Sequence, residues 1–167
     1  MSDGCCSIPE AGSSTCEARV VAASGACPTN GNVGKLIDNL TLKAMLARPL
    51  TEVRPVEYRF CRDADCRTVY YSVDGLQTFV ESDLRERVHQ KHPDEVDILV
   101  CYCFQHTVGE ILKDADATGG ERVVAEINQG IKNGQCACDI RNPQGSCCLG
   151  NISTVVKGAQ QAKGVVQ

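Results

Sequence analysis

The sequence predicts an α+β protein built from two small modules in succession, a thiol-pinned β-hairpin and then a helical hairpin. Three observations carry this. Two alternating apolar runs, Val56/Tyr58/Phe60 and Val69/Tyr71/Val73, flank Cys61-Arg62-Asp63-Ala64-Asp65-Cys66, the pattern of two half-buried strands joined by a turn. Further on, Thr107-x-x-Glu110 opens an apolar stripe of Val108, Ile111, Leu112 and Ala115. Gly119-Gly120 separates it from a second stripe, Val123, Val124, Ile127 and Ile131, which stops at Gly134. A capping box, two stripes of helical period and glycine stops describe a pair of helices. Finally, the chain holds 12 cysteines in 167 residues, and most of them fall at the ends of these elements.

Taken in order, residues 1–26 are rich in Ser, Gly, Ala and Glu without periodicity, and a mobile tail carrying Cys5, Cys6 and Cys16 is expected there. Met1-Ser2-Asp3-Gly4-Cys5-Cys6 has neither a basic nor an apolar run, so no signal peptide is expected. The first module spans 27–95. It opens on the turn-forming Cys27-Pro28-Thr29-Asn30-Gly31, and Thr41 is expected to cap a short helix with Leu42, Met45 and Leu46 that ends before Pro49. The hairpin follows. The second module spans 96–150: Ile98-Leu99-Val100 runs extended into Cys101-Tyr102-Cys103, the two helices come next, and Cys136, Cys138, the turn Asn142-Pro143-Gln144-Gly145 and Cys147-Cys148 close it. Residues 151–167 read as a short polar tail.

Composition removes several classes of function. A net charge of −4 excludes a basic nucleic-acid groove as the main business. No run approaches the length of a membrane span. No nucleophile elbow, phosphate loop or paired-carboxylate constellation is present, so an enzyme is not expected. A cysteine-dense chain without an export signal is expected in the cytoplasm, where thiols hold metals rather than form disulfides. Modules this small also need a staple, and a structural metal is one.

The spacing narrows the metal chemistry. No two cysteines stand in a C-x-x-C arrangement, which removes zinc ribbons, thioredoxin-type redox motifs and the usual copper loop. Cys61-x4-Cys66 pins a hairpin turn in the manner of a zinc knuckle. In an extended segment residues i and i+2 face the same way, so Cys101 and Cys103 aim at one centre. Antiparallel helices then bring Cys136, Cys138 and the Cys147-Cys148 pair to the same end. Four thiolates there suit either tetrahedral zinc or a [2Fe–2S] cluster. Among the other polar groups, His106 reads as an exposed residue beside a helix cap. His89 and His92 read as cations at a helix end, and Asp114-Ala115-Asp116 as a solvated face.

These residues resemble a known family. Cys101-Tyr102-Cys103-Phe104, the helical hairpin, Cys138-x4-Pro143-x-Gly145-x-Cys147-Cys148, and in the first module Cys27-Pro28, Gly31, Thr41-Leu42-Lys43-Ala44, Tyr58-Arg59-Phe60-Cys61, Cys66 and Val69-Tyr70-Tyr71-Ser72 are similar to the N-terminal domain of CopZ-type copper chaperones. Its second half resembles bacterioferritin-associated-ferredoxin-like cluster domains. The resemblance covers about Cys27 to Gly150. It implies a zinc ion on Cys27, Cys61 and Cys66 in the first module. The family often has a cysteine where Asn30 stands, so the fourth ligand is open among Cys16, Cys5 or Cys6, Asp65, His89 and water. In the second module the resemblance implies a [2Fe–2S] cluster on Cys101, Cys103, Cys138 and Cys148, with Cys147 as the alternative to Cys148. A competing cage joins Cys101/Cys103 to Cys136/Cys138. The M-x-C-x-x-C motif of the family's C-terminal copper domain is not found in these 167 residues, so a copper-delivery role is not expected from the resemblance. The implied function is one-electron transfer or redox sensing with a partner protein, linked to copper handling. The alternatives are a soft-metal protein binding or delivering Cu(I) through the spare cysteines, and a metal-stabilised scaffold. The two sites are expected to load independently.

Overall fold

A computed structural model describes residues 25–164. The first module is a four-stranded antiparallel sheet, β1 (Lys35–Ile37), β2 (Tyr58–Phe60), β3 (Thr68–Ser72) and β4 (Thr78–Val80), in that spatial order. The expected hairpin is its centre, with Tyr58 opposite Ser72 and Phe60 opposite Tyr70. Here β3 is buried at every position rather than alternately. It is a central strand, and its register with β4 slips between Thr68 and Tyr70, so neither face is left to water. Helix α1 (Asn39–Met45) closes one side of the sheet. Its cap is not Thr41 but Asp38, whose Oδ1 accepts from the Leu40 N–H at 2.7 Å. Thr41 instead lies buried one turn in, on the face with Leu42 and Met45. Leu42, Leu46, Tyr58, Phe60, Val69 and Tyr70 form the middle of this core.

The second module starts with β5 (Leu99–Cys101), paired with the two-residue β6 (His106–Thr107). Helices α2 (Val108–Thr118) and α3 (Glu121–Lys132) follow. The capping box is formed, Thr107 Oγ1 accepting from Glu110 N at 3.3 Å and Glu110 Oε2 accepting from Thr107 N at 3.1 Å. A short α4 (Cys138–Arg141) precedes α5 (Leu149–Gly164). The expected tail over 151–167 is therefore helical through Gly164. The reason is legible afterwards: Leu149, Ile152, Val155 and Val156 recur at helical spacing and pack into the second core, with Ile152 fully buried. Gly120, at φ +89, lets α5 come close, since a Cβ there would meet Val156 Cγ2 at 2.7 Å. At the other end the first module reaches back past Cys27. Gly25 N donates to Val73 O, and Ala26 bridges to Val33. The expected tail of residues 1–24 lies outside the described residues.

Asp114 is buried, not solvated. From α2 it reaches the start of α3, accepting from Val123 N at 2.9 Å and from Thr118 Oγ1 at 2.9 Å, and it pairs with Arg122 at 3.2 Å. It thus serves as the side-chain cap that Gly120 cannot provide. Against its burial, those bonds and the Arg122 charge hold its carboxyl below the usual range.

The modules are docked rather than strung. Helix α1 packs on α4. The buried Tyr70 hydroxyl donates to Pro143 O at 2.6 Å, and Gln90 Nε2 donates to Gln144 Oε1 at 2.6 Å. Tyr102 Oη donates to Arg87 O at 2.7 Å and accepts from His89 N at 3.0 Å. Gly145, at φ +62, sits so close to α1 that a Cβ would meet Thr41 Oγ1 at 2.8 Å. The loop carrying the last cysteines of the second module thus rests on the first.

Candidate metal centres

The first centre is made at the mouth of the β2–β3 hairpin and the Cys27 turn. Cys27, Cys61 and Cys66 are all buried, and their sulfurs lie within 4.8 Å of one another. Cys27 and Cys66 are 3.9 Å apart. That is well beyond a disulfide bond, and close to the edge of about 3.8 Å that a Zn–S bond near 2.3 Å gives a tetrahedron. The donor set and spacing therefore fit zinc. The turns aim backbone N–H groups at the sulfurs. Burial works to raise the Cys27 thiol, but the N–H groups of Thr29 and Asn30 and the bonds from Cys66 and Cys61 outweigh it and leave it lowered. Burial pushes Cys61 up to about 11, against the Asp63 N–H and the Lys91 charge. Tyr71 packs against the three cysteines, accepting from Gly34 N at 2.6 Å and donating to Gly25 O at 2.9 Å. Lys91 Nζ holds the hairpin turn through Asp63 O (2.6 Å) and Cys66 O (2.8 Å).

Asn30 has a role that its residue type hid. Its Nδ2 donates to Asp63 Oδ2 at 2.8 Å and lies 3.6 Å from Cys61 Sγ, while its Oδ1 accepts from Asn32 N. It offers the thiolate a proton donor, the part of an outer-shell group. Asp65 and His89, named above as possible fourth ligands, do not join the three sulfurs. Cys5, Cys6 and Cys16 lie outside the described residues.

The second centre gathers five thiols where β5, the β5–β6 turn, the α3–α4 loop, α4 and α5 meet. Cys101 and Cys148 form a buried end, their sulfurs neighbours. Cys148 also reaches Cys138. At the part-exposed end Cys138 Sγ lies 3.7 Å from Cys103 and 3.3 Å from Cys136. Those three sulfurs are within 4.8 Å of one another. Cys147 points outward and is exposed. The structure thus brings Cys101, Cys103, Cys138 and Cys148 together and adds Cys136.

The protons in this array are unevenly shared. The neighbouring Cys148 sulfur lowers Cys101 against the opposing effect of burial, and it lowers Cys138 further. Cys148, facing both sulfurs and buried, is driven up. Burial also raises Cys103, although Ala137 N donates to its sulfur at 3.4 Å. N–H groups of Cys103 and Phe104 point at Cys101 as well. Thiolates clustered this closely repel one another unless a cation lies among them, so the donor set fits a metal centre of sulfur ligands.

His106 departs from the exposed reading. It is buried across the ladder from Cys101, and both ring nitrogens stand 3.8 Å from carboxylates, Nδ1 from Glu110 and Nε2 from Glu126. His92 sits between the carboxylates of Glu81 (2.7 Å) and Glu95 (2.8 Å). Among the described residues no helix is long and apolar enough to cross a membrane.

A buried thiol site and a second, part-exposed one on an α+β frame place this chain among small thiolate metal-binding domains. The comparisons make the class specific. Residues 24–85 match the model of the zf_CopZ family, described as a zinc binding domain. The fold is similar to the X-ray structure of the Archaeoglobus fulgidus CopZ N-terminal domain, with a TM-score of 0.63 and 26% identity over 78% of this chain and 96% of that one. No curated protein matches the chain. Residues 24–85 thus carry the zinc binding domain of that family, and the chain as a whole resembles a CopZ-type N-terminal domain.

Proposed function

We propose that this chain is a metal-handling electron carrier or redox sensor without catalytic activity of its own. In this reading zinc on Cys27, Cys61 and Cys66 fixes the first module, and a [2Fe–2S] cluster sits on Cys101, Cys103, Cys138 and Cys148. The observation that carries the second assignment is the shape of the thiol array, a buried pair and a part-exposed group joined through Cys138. Five thiols in a row exceed what one tetrahedral ion takes, and they suit a centre of two metals. Bound there, the cluster would supply one-electron chemistry. The chain's own part is to lower the Cys101 and Cys138 thiols, to point the N–H groups of Cys103, Phe104 and Ala137 at sulfur, and to keep Cys101 and Cys148 dry while Cys103 and Cys138 approach the surface. Hydrogen bonds to sulfur and partial exposure are what set the potential of such a centre. The part-exposed end is where an electron would pass to a redox partner protein.

The resemblance to CopZ supports placing this activity in copper handling, with copper ions or copper-handling proteins as partners and the cytoplasm as the compartment. Iron, acid-labile sulfide and zinc analysis of anaerobically purified protein, beside its visible spectrum, tests the reading. Wild type should carry all three, and Cys101→Ala should lose iron and colour while keeping zinc. A colourless wild-type protein containing zinc alone removes the electron-transfer role. A coloured protein that cannot be reversibly reduced leaves the metals structural.

A further inference from the structure

We propose that Cys136 is a reserve ligand of the second centre, able to take the coordination position of Cys103 beside Cys138. The inference rests on the [2Fe–2S] reading above. Such a cluster takes four protein thiolates, and the array contains a fifth.

The five are not equivalent. Cys101 is fixed in β5 and fully buried, and Cys148 is 2% exposed, its carbonyl accepting from Ile152 N in the first turn of α5. Neither can leave without disturbing the second core. Cys103 and Cys136 are both part-exposed, and both sulfurs lie against the same neighbour, Cys138, at 3.7 and 3.3 Å. The three sulfurs are mutually within 4.8 Å. Two thiols that flank a common ligand at one edge of a site are geometric alternatives for the position next to it.

The backbone permits the exchange. Helix α3 ends at Lys132, Gly134 turns the chain at φ +70, and residues 135–137 belong to no helix or strand. Cys136 therefore rides on a short connector and re-aims without unwinding an element. The same connector already touches the sulfur it would replace, through Ala137 N and Cys103 Sγ at 3.4 Å. In the exchange one iron–sulfur bond forms as another breaks. The Cys136 proton passes to the released Cys103 thiolate, and no electron is gained or lost. The consequence is a centre that survives capture of Cys103 by an oxidant or a soft ion at the exposed edge, and that has a defined first step for opening.

The test compares the loaded full chain with Cys103→Ala, Cys136→Ala and the double variant, by iron and sulfide content, visible spectrum and mass-mapped alkylation with iodoacetamide. We expect Cys136→Ala to match wild type, and Cys103→Ala to retain its iron, sulfide and thiolate-to-iron bands. The double variant should lose them. In wild type Cys136 should alkylate freely. In Cys103→Ala it should become protected by about tenfold or more, since a metal-bound sulfur is not a free nucleophile. Cys103→Ser, which preserves side-chain size, should keep its absorption at the wild-type position because Cys136, not the serine oxygen, has moved in. Loss of iron from Cys103→Ala to the level of the double variant overturns the exchange. So does a blue-shifted Cys103→Ser, loss of iron from Cys136→Ala alone, or unprotected Cys136 in an iron-loaded Cys103→Ala. A wild-type chain without iron and labile sulfide overturns the cluster reading itself, and the exchange with it.

Discussion

Tyr70→Phe isolates the contact that joins the two modules. The ring is fully buried and its hydroxyl donates to Pro143 O at 2.6 Å, in the loop between Cys138 and Cys148. The variant leaves the ring volume in place, so no cavity opens and no apolar area is lost. What changes is one donor and the carbonyl it served. A neutral hydrogen bond is worth about 1 kcal/mol net, and leaving a buried acceptor unmatched costs about 1–3 kcal/mol, so we expect a loss of about 2 kcal/mol. With a urea m-value of about 2 kcal/mol/M for a chain of this size, the unfolding midpoint should fall by about 1 M. Circular dichroism of the as-purified protein in urea reads that shift. Because the loop ends in Cys148, iron should also leave faster under a chelator, while zinc content is unchanged. A midpoint within about 0.2 M of wild type, inside the scatter of such extrapolations, together with an unchanged rate of iron loss, would refute the reasoning.

Three other perturbations test separate parts of the structure. Asp114→Ala removes the acceptor of Val123 N and Thr118 Oγ1 and should cost about 1–2 kcal/mol at neutral pH, as lost caps do. Its folded carboxyl is lowered, so its contribution is complete above the unfolded value near about 3.9 and disappears as pH falls through the folded one. The stability difference between variant and wild type should therefore close on acidification and not on making the solution alkaline. Ile152→Ala should cost about 2–5 kcal/mol in thermal or urea unfolding if α5 is part of the second core, and almost nothing if it is a loose tail. Asn30→Ala deletes the donor beside Cys61 and should weaken zinc retention about tenfold in a chelator competition, the usual scale for an outer-shell group.

The features read most securely from the sequence were those with redundant local signals. Thr107 and Glu110 state a helix start twice, and Gly119-Gly120 and Gly134 state two stops. The hairpin was carried by alternation on both sides of its thiols. What escaped had only three-residue signals or depended on a distant partner. Strands β1 and β4 are too short to show a period and exist by pairing with β2 and β3. Asp38 caps α1 where the sequence pattern points to Thr41, the residue directly before Leu42. Asp114 looked like surface because its partners are Thr118, Arg122 and Val123 across a helix junction. Helix α5 carried a readable stripe at Leu149, Ile152 and Val156, hidden among small and polar residues. Of the candidate ligands, the set Cys27, Cys61 and Cys66 needed the turn and the hairpin to meet, which no local pattern states.

Against the expectation that the two centres load independently, the docking of the modules predicts a dependence with a direction. Cys61 and Cys66 pin the turn between β2 and β3, and the same β3 carries Tyr70 to Pro143. Lys91 ties that turn to the segment whose neighbours, His89 and Gln90, bond Tyr102 and Gln144. Loss of zinc therefore loosens the surface on which the loop from Cys138 to Cys148 rests. In the other direction, Cys101 sits in β5 within the second core and supports none of the three zinc thiols. Cys61→Ala should thus lose zinc and also release iron faster, whereas Cys101→Ala should lose iron and hold zinc at the wild-type level. Equal and separate losses in the two variants would mean that the contacts between the modules carry no load, and that the Tyr70 bond forms only because both modules are already in place.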